Sequence, residues 1–251
     1  MKPKILQITS GHSMGWTGGI TATLTSLATS RLAEEFDFLV MPWGEAEPLL
    51  ATLKPDLIVV HAASSWRGLI NLWKLRGIAK VMINEHHYSA NFERFNVASK
   101  FRFRWMLRLA YGLAHRTIAA SADQQAWMLR YKLATERKIT LIRSCRTLDG
   151  FLAVPESPRA IGQPFRLVAY GRLAFQKGFD VLIKAMNLLP PDMNIQLQIG
   201  GTGADEAHLR ELAGASSRIQ FMGRIDDVPA FLSQCDAVVI PSRWEPGGNV
   251  C

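Results

Sequence analysis

The stretch YGRLAFQKGFDVLIKAM, from Tyr170 to Met186, decides the fold class. An apolar run ends at Tyr170, a polar loop with two glycines follows, and a helical apolar pattern begins at Phe179. Arg172 and Lys177 therefore lie at the carboxyl end of a predicted strand, where open α/β sheets bind ligands. Two cations there suit a diphosphate, the arginine as a planar fork and the lysine as a point charge. A surface loop with helix-capping charges is the alternative.

The same strand–loop–helix unit recurs along the chain. Short, nearly all-apolar strands that alternate with helices indicate parallel sheets covered on both faces, so the class is α/β. In the first half, strands are predicted at Lys4–Thr9, Phe36–Val40, Leu57–His61, Val81–Asn84, Thr117–Ala120 and Ile139–Ile142, with a first helix from about Gly19 to Ala33. In the second half, strands are predicted at Arg166–Tyr170, Ile195–Ile199, Ile219–Met222 and Ala237–Ile240, with helices at Phe179–Leu189, Glu206–Ala213 and Val228–Ser233.

The segment PESPRAIGQP, residues 155–164, separates two domains. Proline at this density is incompatible with a helix or a central strand, so the segment is predicted to be a linker. We expect Rossmann-like domains at 1–154 and 165–251 that face each other across a cleft. The second is expected to be incomplete, because its four strands fall short of the five or six of a doubly wound domain.

Composition narrows the functional class. The chain has 251 residues, is 48% hydrophobic and 20% charged, and carries a net charge of +8, which is typical of a globular protein with an anionic partner. No apolar run is long enough to span a bilayer, and Ile5–Ile8 is too short for a signal-peptide core. The three cysteines, Cys145, Cys235 and Cys251, form no CxxC pair, which favours a reducing cytoplasm over a disulfide framework.

Two further loops of the second half carry candidate ligand-binding groups. IGGTG, at Ile199–Gly203, places three glycines directly after a strand, where the backbone can approach a ligand; a tight turn is the alternative. PSRWEPGG, at Pro241–Gly248, follows the predicted strand Ala237–Ile240. Its Glu245 is expected at the edge of the cleft, and the amides after it are expected to open a helix toward an anion. A helix cap is the alternative for Glu245.

On these motifs the chain resembles glycosyltransferase family 4, whose members have the GT-B fold. The resemblance implies that Arg172 and Lys177 bind the donor diphosphate and that Glu245 lies beside the donor sugar. It implies further contacts to the nucleotide, sugar or phosphates from Gly200, Gly201, Gly203, Gly247, Gly248 and Asn249. The family shows a Glu-x7-Glu motif, whose second glutamate falls two positions after Cys251. We therefore expect a chain truncated within that motif, with an incomplete donor site.

The first domain contributes a glycine loop and a histidine pair. In GWTGG, Gly15–Gly19, adjacent glycines let backbone amides approach a phosphate or a sugar, and the resemblance implicates Gly18 and Gly19; a plain tight turn is the alternative. In NEHHYS, the resemblance implies that one histidine reaches the donor sugar, and both His86 and His87 are candidates. A zinc site is the competing interpretation, but this spacing is not that of zinc ligands, so no metal is predicted.

The basic segment 99–116 is predicted to be helical. Lys100, Arg104 and Arg108 recur at helical spacing beside an apolar stripe that includes Trp105. Such a face suits an anionic membrane or an anionic acceptor. An ordinary helix with a solvated basic face is the alternative.

The combined interpretation is a retaining, metal-independent glycosyltransferase that needs no cofactor. It is expected to move a sugar from a nucleoside diphosphate sugar to a hydroxyl group, on a cell-envelope or lipid-linked glycan. The expected location is the cytoplasm, with peripheral attachment to the inner face of the cytoplasmic membrane. The alternative is a non-catalytic sugar-nucleotide-binding fragment. Nucleic acid is not expected as a partner, because no recognition motif accompanies the charge.

Overall fold

The computed structural model describes residues 2–9, 19–143, 148–154 and 160–247. The chain divides into two compact units, Met1–Arg146 and Thr147–Cys251, each built on its own parallel sheet. The predicted α/β class is therefore confirmed. Among the sequence-based candidates, Gly18, Gly248, Asn249, Cys145, Cys251 and part of the proposed linker, 155–159, lie outside the described residues.

The first unit contains a six-stranded parallel sheet in the order β2-β1-β3-β4-β5-β6. Its strands are β1 Lys4–Thr9, β2 Asp37–Pro42, β3 Leu57–Val60, β4 Lys80–Glu85, β5 Arg116–Ala119 and β6 Ile139–Leu141. The order reverses between β1 and β3. A reversal of this kind leaves a crevice at the carboxyl ends of the two strands.

The described part of this unit contains six α-helices: α1 Gly19–Ala28, α2 Trp43–Leu53, α3 Gly68–Arg76, α4 Ala90–Asn96, α5 Lys100–Leu113 and α6 Ala122–Arg130. Serine side chains begin two of them: Ser89 accepts a hydrogen bond from the amide of Phe92, and Ser121 accepts one from the amide of Gln124. Strand residues such as Leu6, Ile58 and Val81 are fully buried between the helical layers.

Two predicted helix ends were wrong by three residues or more. The first helix stops at Ala28 rather than Ala33, because the Ser30 side chain accepts from the amide of Leu32 and starts a separate 3₁₀ turn. The basic helix stops at Leu113 rather than Arg116. The amide of His115 donates to the carbonyl of Val81 in β4, and the chain continues directly into β5.

The second unit contains a four-stranded parallel sheet in the order β10-β7-β8-β9. Its elements are α7 Asp149–Leu152, β7 Phe165–Tyr170, α8 Phe179–Leu188, β8 Ile195–Gly200, α9 Glu206–Ala213, β9 Ile219–Gly223, α10 Val228–Ser233 and β10 Ala237–Val238. Its core is formed by Phe179, Ile183, Leu197 and Ile199, which are almost completely buried. The strand order reverses between β7 and β10.

The structure corrects the predicted basic face of α5. Arg104 does not lie free in solvent: its guanidinium pairs with the carboxylate of Glu93, which is 3% exposed, and lies 3.5 Å from the ring centroid of Tyr131. The same carboxylate accepts a hydrogen bond from the indole of Trp127 at 3.2 Å. Arg108 donates to the backbone carbonyls of Tyr131 and Lys132. Both arginines therefore connect α5 to neighbouring segments.

Replacing Arg104 should be costly. Arg104→Met leaves the buried carboxylate of Glu93 without its cation, and the free energy of unfolding should fall by about 3–5 kcal/mol. Arg102→Met, which removes an exposed cation from the same helix, should change it by less than about 0.5 kcal/mol. Urea unfolding of the two variants measures both values. Equal effects would contradict the buried ion pair.

Candidate functional site

Three loops meet at the carboxyl end of the second sheet. The loops 171–178, 201–205 and 239–247 follow β7, β8 and β10, and the first and third flank the point where the strand order reverses. Side chains placed at the ends of β7 and β10 are therefore neighbours, although they are far apart in sequence. This is where open α/β sheets place their ligands.

Direct backbone contacts hold the three loops together. Gly201 has φ +131°, and a Cβ there would lie 1.8 Å from the carbonyl oxygen of Gly171. Gly178 has φ +69°, and a Cβ there would lie 2.1 Å from the carbonyl oxygen of Pro241. No other residue type fits either position, because both contacts are with backbone atoms that cannot move aside.

The other two glycines of IGGTG, Gly200 and Gly203, also have packing roles. A Cβ at Gly203 would lie 2.2 Å from the carbonyl oxygen of Leu173, and one at Gly200 would lie 2.6 Å from Cγ1 of Ile225. The glycines of IGGTG therefore allow the loops to pack closely. Their predicted contact with a nucleotide stays a prediction.

The predicted charged groups come together at this crevice. Nζ of Lys177 lies 2.5 Å from Oε1 of Glu245, and the Ser242 hydroxyl donates to the same oxygen at 2.7 Å. The two side chains are only 15% and 22% exposed, so the pair is partly shielded from water. Arg172 is exposed on the same loop, and the contact that the described residues show for its guanidinium is a long one, 3.5 Å, to Oε1 of Gln176.

Arg243 was not singled out from the sequence, yet it fixes the loop that carries Glu245. Its guanidinium makes a bidentate pair with Asp180 at 2.8 and 2.7 Å and stacks over the ring of Phe175 at 4.0 Å. The hydrogen bonds from Arg243 lower the pKa of the Asp180 carboxyl. Because Asp180 lies in the first turn of α8, this pair joins the loop after β10 to the helix that follows β7. Gly247 lies two residues beyond Glu245.

The first unit holds a hydrogen-bonded row of three side chains beside its own strand reversal. Nε2 of His61, just after β3, lies 2.7 Å from Oε1 of Gln7 on β1. Nδ1 of His61 lies 2.9 Å from Nε2 of His86, which follows β4. The Gln7 oxygen can only accept, so His61 donates from Nε2 and receives at Nδ1, and His86 donates from Nε2. The Nδ1 of His86 is then an acceptor.

Gln7 and His61 were missed by sequence reasoning, although both are polar residues set against apolar strands. His87 has a different environment: its Nε2 donates to the carbonyl of His61 at 3.1 Å, and its amide donates to the carboxylate of Glu85 at 2.8 Å. The predicted pair of histidines is therefore placed at the end of β4. That one of them meets the donor sugar stays a prediction. Gly19 begins α1.

Burial keeps the row neutral. Desolvation, with smaller contributions from His86 and His87, lowers the pKa of His61 to about 3. Desolvation followed by the charge of His87 lowers the pKa of His86 to about 4. Burial raises the pKa of the neighbouring Glu85, although the charge of His87 and hydrogen bonds from the amides of His87 and Tyr88 and from the Tyr111 hydroxyl lower it in part.

In the part of the chain that the structure describes, no three His, Cys, Asp or Glu side chains are arranged to hold a metal ion.

Comparison with known proteins identifies the class of the fold and then the family. The chain superposes on Anabaena HepE, solved in complex with UDP, with a TM-score of 0.69 at 20% identity, covering 100% of this chain and 77% of that one. It superposes on sucrose-phosphate synthase from Thermosynechococcus elongatus with a TM-score of 0.68 at 18% identity, covering 99% and 78%. The two Rossmann-like units are those of the GT-B fold.

Sequence models give the family. The Glycosyltransferase Family 4 model matches residues 26–145, and the model for glycosyl transferases group 1 matches residues 154–251. The chain belongs to the family 4-like GT-B glycosyltransferases. The resemblance on which the sequence interpretation rested is thus confirmed.

Curated relatives are matched over part of their length. Mannosylfructose-phosphate synthase of Agrobacterium fabrum is 31% identical over 200 residues, which is 71% of this chain and 43% of the relative. The lipopolysaccharide core biosynthesis glycosyltransferase LpsE of Rhizobium meliloti is 38% identical over 87 residues, which is 34% of this chain and 25% of the relative. The matched region thus covers less than half the length of either relative. Within the described ranges, no helix is both long and apolar enough to cross a bilayer.

The neutral row predicts one defined tautomer for His86. Ring nitrogen chemical shifts should show a proton on Nε2 and an acceptor at Nδ1, with no titration of His61 or His86 between pH 8 and about 5. Long-range nitrogen–proton NMR of the histidine rings measures this. Gln7→Leu removes the terminal acceptor and should leave His86 as a mixture of tautomers. An Nδ1-protonated His86 in the unmodified chain would show that the row runs in the opposite direction.

Acid should weaken the first unit through the same histidines. An unfolded histidine binds its proton near pH 6.5, whereas folded His86 resists protonation until about pH 4. Stability from the neutral ring is therefore complete above pH 6.5 and is lost as the pH falls toward 4, by up to about 1.4 kcal/mol per pH unit. The raised pKa of Glu85 changes the stability in the opposite direction as the pH falls, but it does so equally in the unmodified chain and in a His86→Asn variant. His86→Asn should show the shallower slope in urea unfolding between pH 7 and 5; identical slopes would contradict the assignment.

Proposed function

We propose that the protein containing this chain transfers a sugar from a nucleoside diphosphate sugar to a hydroxyl group of its acceptor. The observation that carries the proposal is the convergence of Arg172, Lys177 and Glu245 on the strand reversal of the second sheet, in a chain of family 4. Two of the similar solved structures contain UDP, which supports a nucleotide-sugar donor.

The cations would act on the leaving group. When the bond between sugar and diphosphate breaks, negative charge builds on the diphosphate, and preorganised cations stabilise that charge most effectively where water is excluded. Arg172 is exposed and only loosely held, so it can turn toward a phosphate. Lys177 is already partly buried and fixed by Glu245.

Glu245 would respond to the donor. A diphosphate beside Lys177 competes with the carboxylate for the ammonium group, because both are anions within reach of one cation. The Glu245 carboxylate is then released to accept hydrogen bonds from hydroxyl groups of the donor sugar. Ser242 and the Arg243–Asp180 pair would keep the carboxylate near that position throughout.

The first unit would supply neutral hydrogen-bonding groups. With Nε2 of His86 bound to His61, its Nδ1 can accept a hydrogen bond from a sugar hydroxyl without bringing a positive charge to the reacting ring. The roles of Gly18 and Gly19 as amide donors, and of Gly247, Gly248 and Asn249 beside the phosphates, are part of the same proposal.

The proposed transfer retains the configuration of the sugar and uses neither a metal nor a cofactor. Family membership supports retention, and the two cations supply the charge that a metal would otherwise bring to the diphosphate. NMR of the product reports the anomeric configuration, and a transfer assay with and without EDTA reports metal dependence. An inverted product or EDTA-sensitive transfer would overturn these two parts separately.

The proposed acceptor is a cell-envelope or lipid-linked glycan. The relatives from Rhizobium meliloti are described as acting in lipopolysaccharide core biosynthesis, which supports an acceptor of this kind. A lipid-linked acceptor is presented at a bilayer, so we further propose a cytoplasmic enzyme attached peripherally to the inner face of the cytoplasmic membrane.

Arg172→Ala should weaken the binding of the nucleoside diphosphate by about 1.5–3 kcal/mol, the usual range for a charged hydrogen bond. A thermal shift series with UDP, GDP and ADP identifies the base, and calorimetry on the nucleotide that stabilises the chain gives the affinity. Lys184→Ala, which removes an exposed cation from α8, is the matched control and should bind as the unmodified chain does.

The outcomes separate the parts of the proposal. Unchanged affinity in Arg172→Ala would remove this residue from the donor site. Binding of a nucleoside diphosphate sugar without transfer to any hydroxyl acceptor would favour a non-catalytic binding module.

A further inference from the structure

We propose that α3 and α5 present one docking surface for an anionic bilayer. Six exposed apolar side chains form this surface, which we call the aromatic surface: Trp66, Ile70, Trp73, Phe101, Trp105 and Leu109. This inference rests on the peripheral membrane attachment proposed above and names the residues that would contact the membrane. Ile70 and Trp73 lie on α3 and Trp66 lies just before it, and the sequence pattern implicated none of these three.

Contacts at both ends show that the two helices run side by side in the same direction. At their N-terminal ends, Trp66, Phe101, Arg102 and Trp105 line one shallow cavity of about 470 Å³. At their C-terminal ends, Arg76 of α3 reaches the carbonyls of Gly112 and Leu113 at 3.4 Å. Side chains at matching heights on the two helices are therefore neighbours.

The exposed apolar residues follow one face of each helix. Ile70 and Trp73 are spaced by three and are 62% and 68% exposed. On α5, Phe101 and Trp105 are spaced by four and are 71% and 44% exposed, with ring centroids 6.2 Å apart. The opposite face of each helix is buried in the core, so neither helix can turn these side chains inward.

A surface of this kind is unusual for a monomer in water. Isolated exposed apolar residues need no explanation, but a contiguous aromatic group marks a contact with a partner or a membrane. Three of the six are tryptophans, and tryptophan favours the interface between lipid and water because it has an apolar body and a polar N–H.

The charged residues around the aromatic surface favour an anionic bilayer as its partner. Neither α3 nor α5 contains an aspartate or a glutamate, whereas Arg67, Lys100 and Arg102 are exposed at their shared N-terminal end. Acidic neighbours of these helices include Glu47, which pairs with Lys74, and Glu93, which is buried and pairs with Arg104. Basic side chains beside apolar anchors match anionic headgroups beside acyl chains. A second copy of this chain would instead bring like charges together.

The interaction of α5 with the bilayer therefore differs from the one its sequence predicts. Arg104 and Arg108 are engaged within the unit, so the electrostatic contribution comes from Arg67, Lys100 and Arg102, while Trp105 keeps its predicted role. An exposed lysine or arginine adds to the contact with the bilayer. Its alkyl chain can lie along the apolar side chains of the aromatic surface while its charged end meets a lipid phosphate.

Co-sedimentation with vesicles tests the surface. The full chain should bind vesicles of equal parts phosphatidylglycerol and phosphatidylcholine, and the double variant Trp73→Ser/Phe101→Ser should lower the partition coefficient by at least about tenfold. Leu49→Ser/Leu188→Ser, which removes two exposed apolar side chains from elsewhere, is the matched control and should partition as the unmodified chain does. Circular dichroism confirms that all three fold.

A charge variant tests the lipid preference. Arg67→Glu/Arg102→Glu should abolish the difference between anionic vesicles and pure phosphatidylcholine vesicles. No vesicle binding by the unmodified chain, or equal losses in the aromatic and control variants, would overturn the proposal. A concentration-dependent dimer in sedimentation velocity that Trp73→Ser/Phe101→Ser dissolves would overturn it too, by assigning the surface to a second copy.

The donor site provides the reference for these experiments. Stabilisation by a nucleoside diphosphate depends on the second unit and should be the same in the aromatic, charge and control variants. Loss of vesicle binding with intact nucleotide stabilisation supports the surface, and intact vesicle binding without nucleotide stabilisation would count against the donor site alone.

Discussion

The candidate donor site depends on the backbone-to-backbone packing of three loops at the carboxyl end of the second sheet. Gly201 lies against Gly171, and Gly178 lies against Pro241, at distances that leave no space for a Cβ. These contacts bring the end of β10 beside the loop after β7, so that residues 68 positions apart can form the Lys177–Glu245 pair. Without that packing, Glu245 would belong to an ordinary surface turn. The glycines therefore build the site whether or not they also contact a ligand.

The cations of this chain differ in function according to whether they already have a partner. Arg104, Arg166 and Arg243 pair with carboxylates of their own units, and these contacts hold structural elements together. Arg172 is only loosely held, and Lys177 is held by a carboxylate that an anionic ligand could displace. The cations behind the net positive charge therefore have different roles. A cation that is already paired with a buried carboxylate contributes stability, and an exposed one remains available to phosphates or headgroups.

The fold was largely predictable because strands buried on both faces are continuously apolar, as in LIVV of β3. The helix ends were less predictable, since they depend on local contacts such as that of Ser30 with the amide of Leu32. The pairing of Arg104 was missed because Glu93 lies outside the basic segment 99–116, on a different helix. Gln7 and His61 were missed because nothing in their own strands shows that β1, β3 and the end of β4 bring them together. Sequence periodicity reports burial, whereas these side-chain pairs depend on the strand order.

In the proposed donor site, the loops after β7 and β10 hold a diphosphate. Calorimetry that compares each nucleoside diphosphate with its nucleoside tests this site: UDP with uridine, GDP with guanosine and ADP with adenosine. We expect one diphosphate to bind at least about tenfold more tightly than its nucleoside, because charge-assisted hydrogen bonds to phosphate add to its affinity. Equal affinities within every pair, or no binding of any diphosphate, would contradict it.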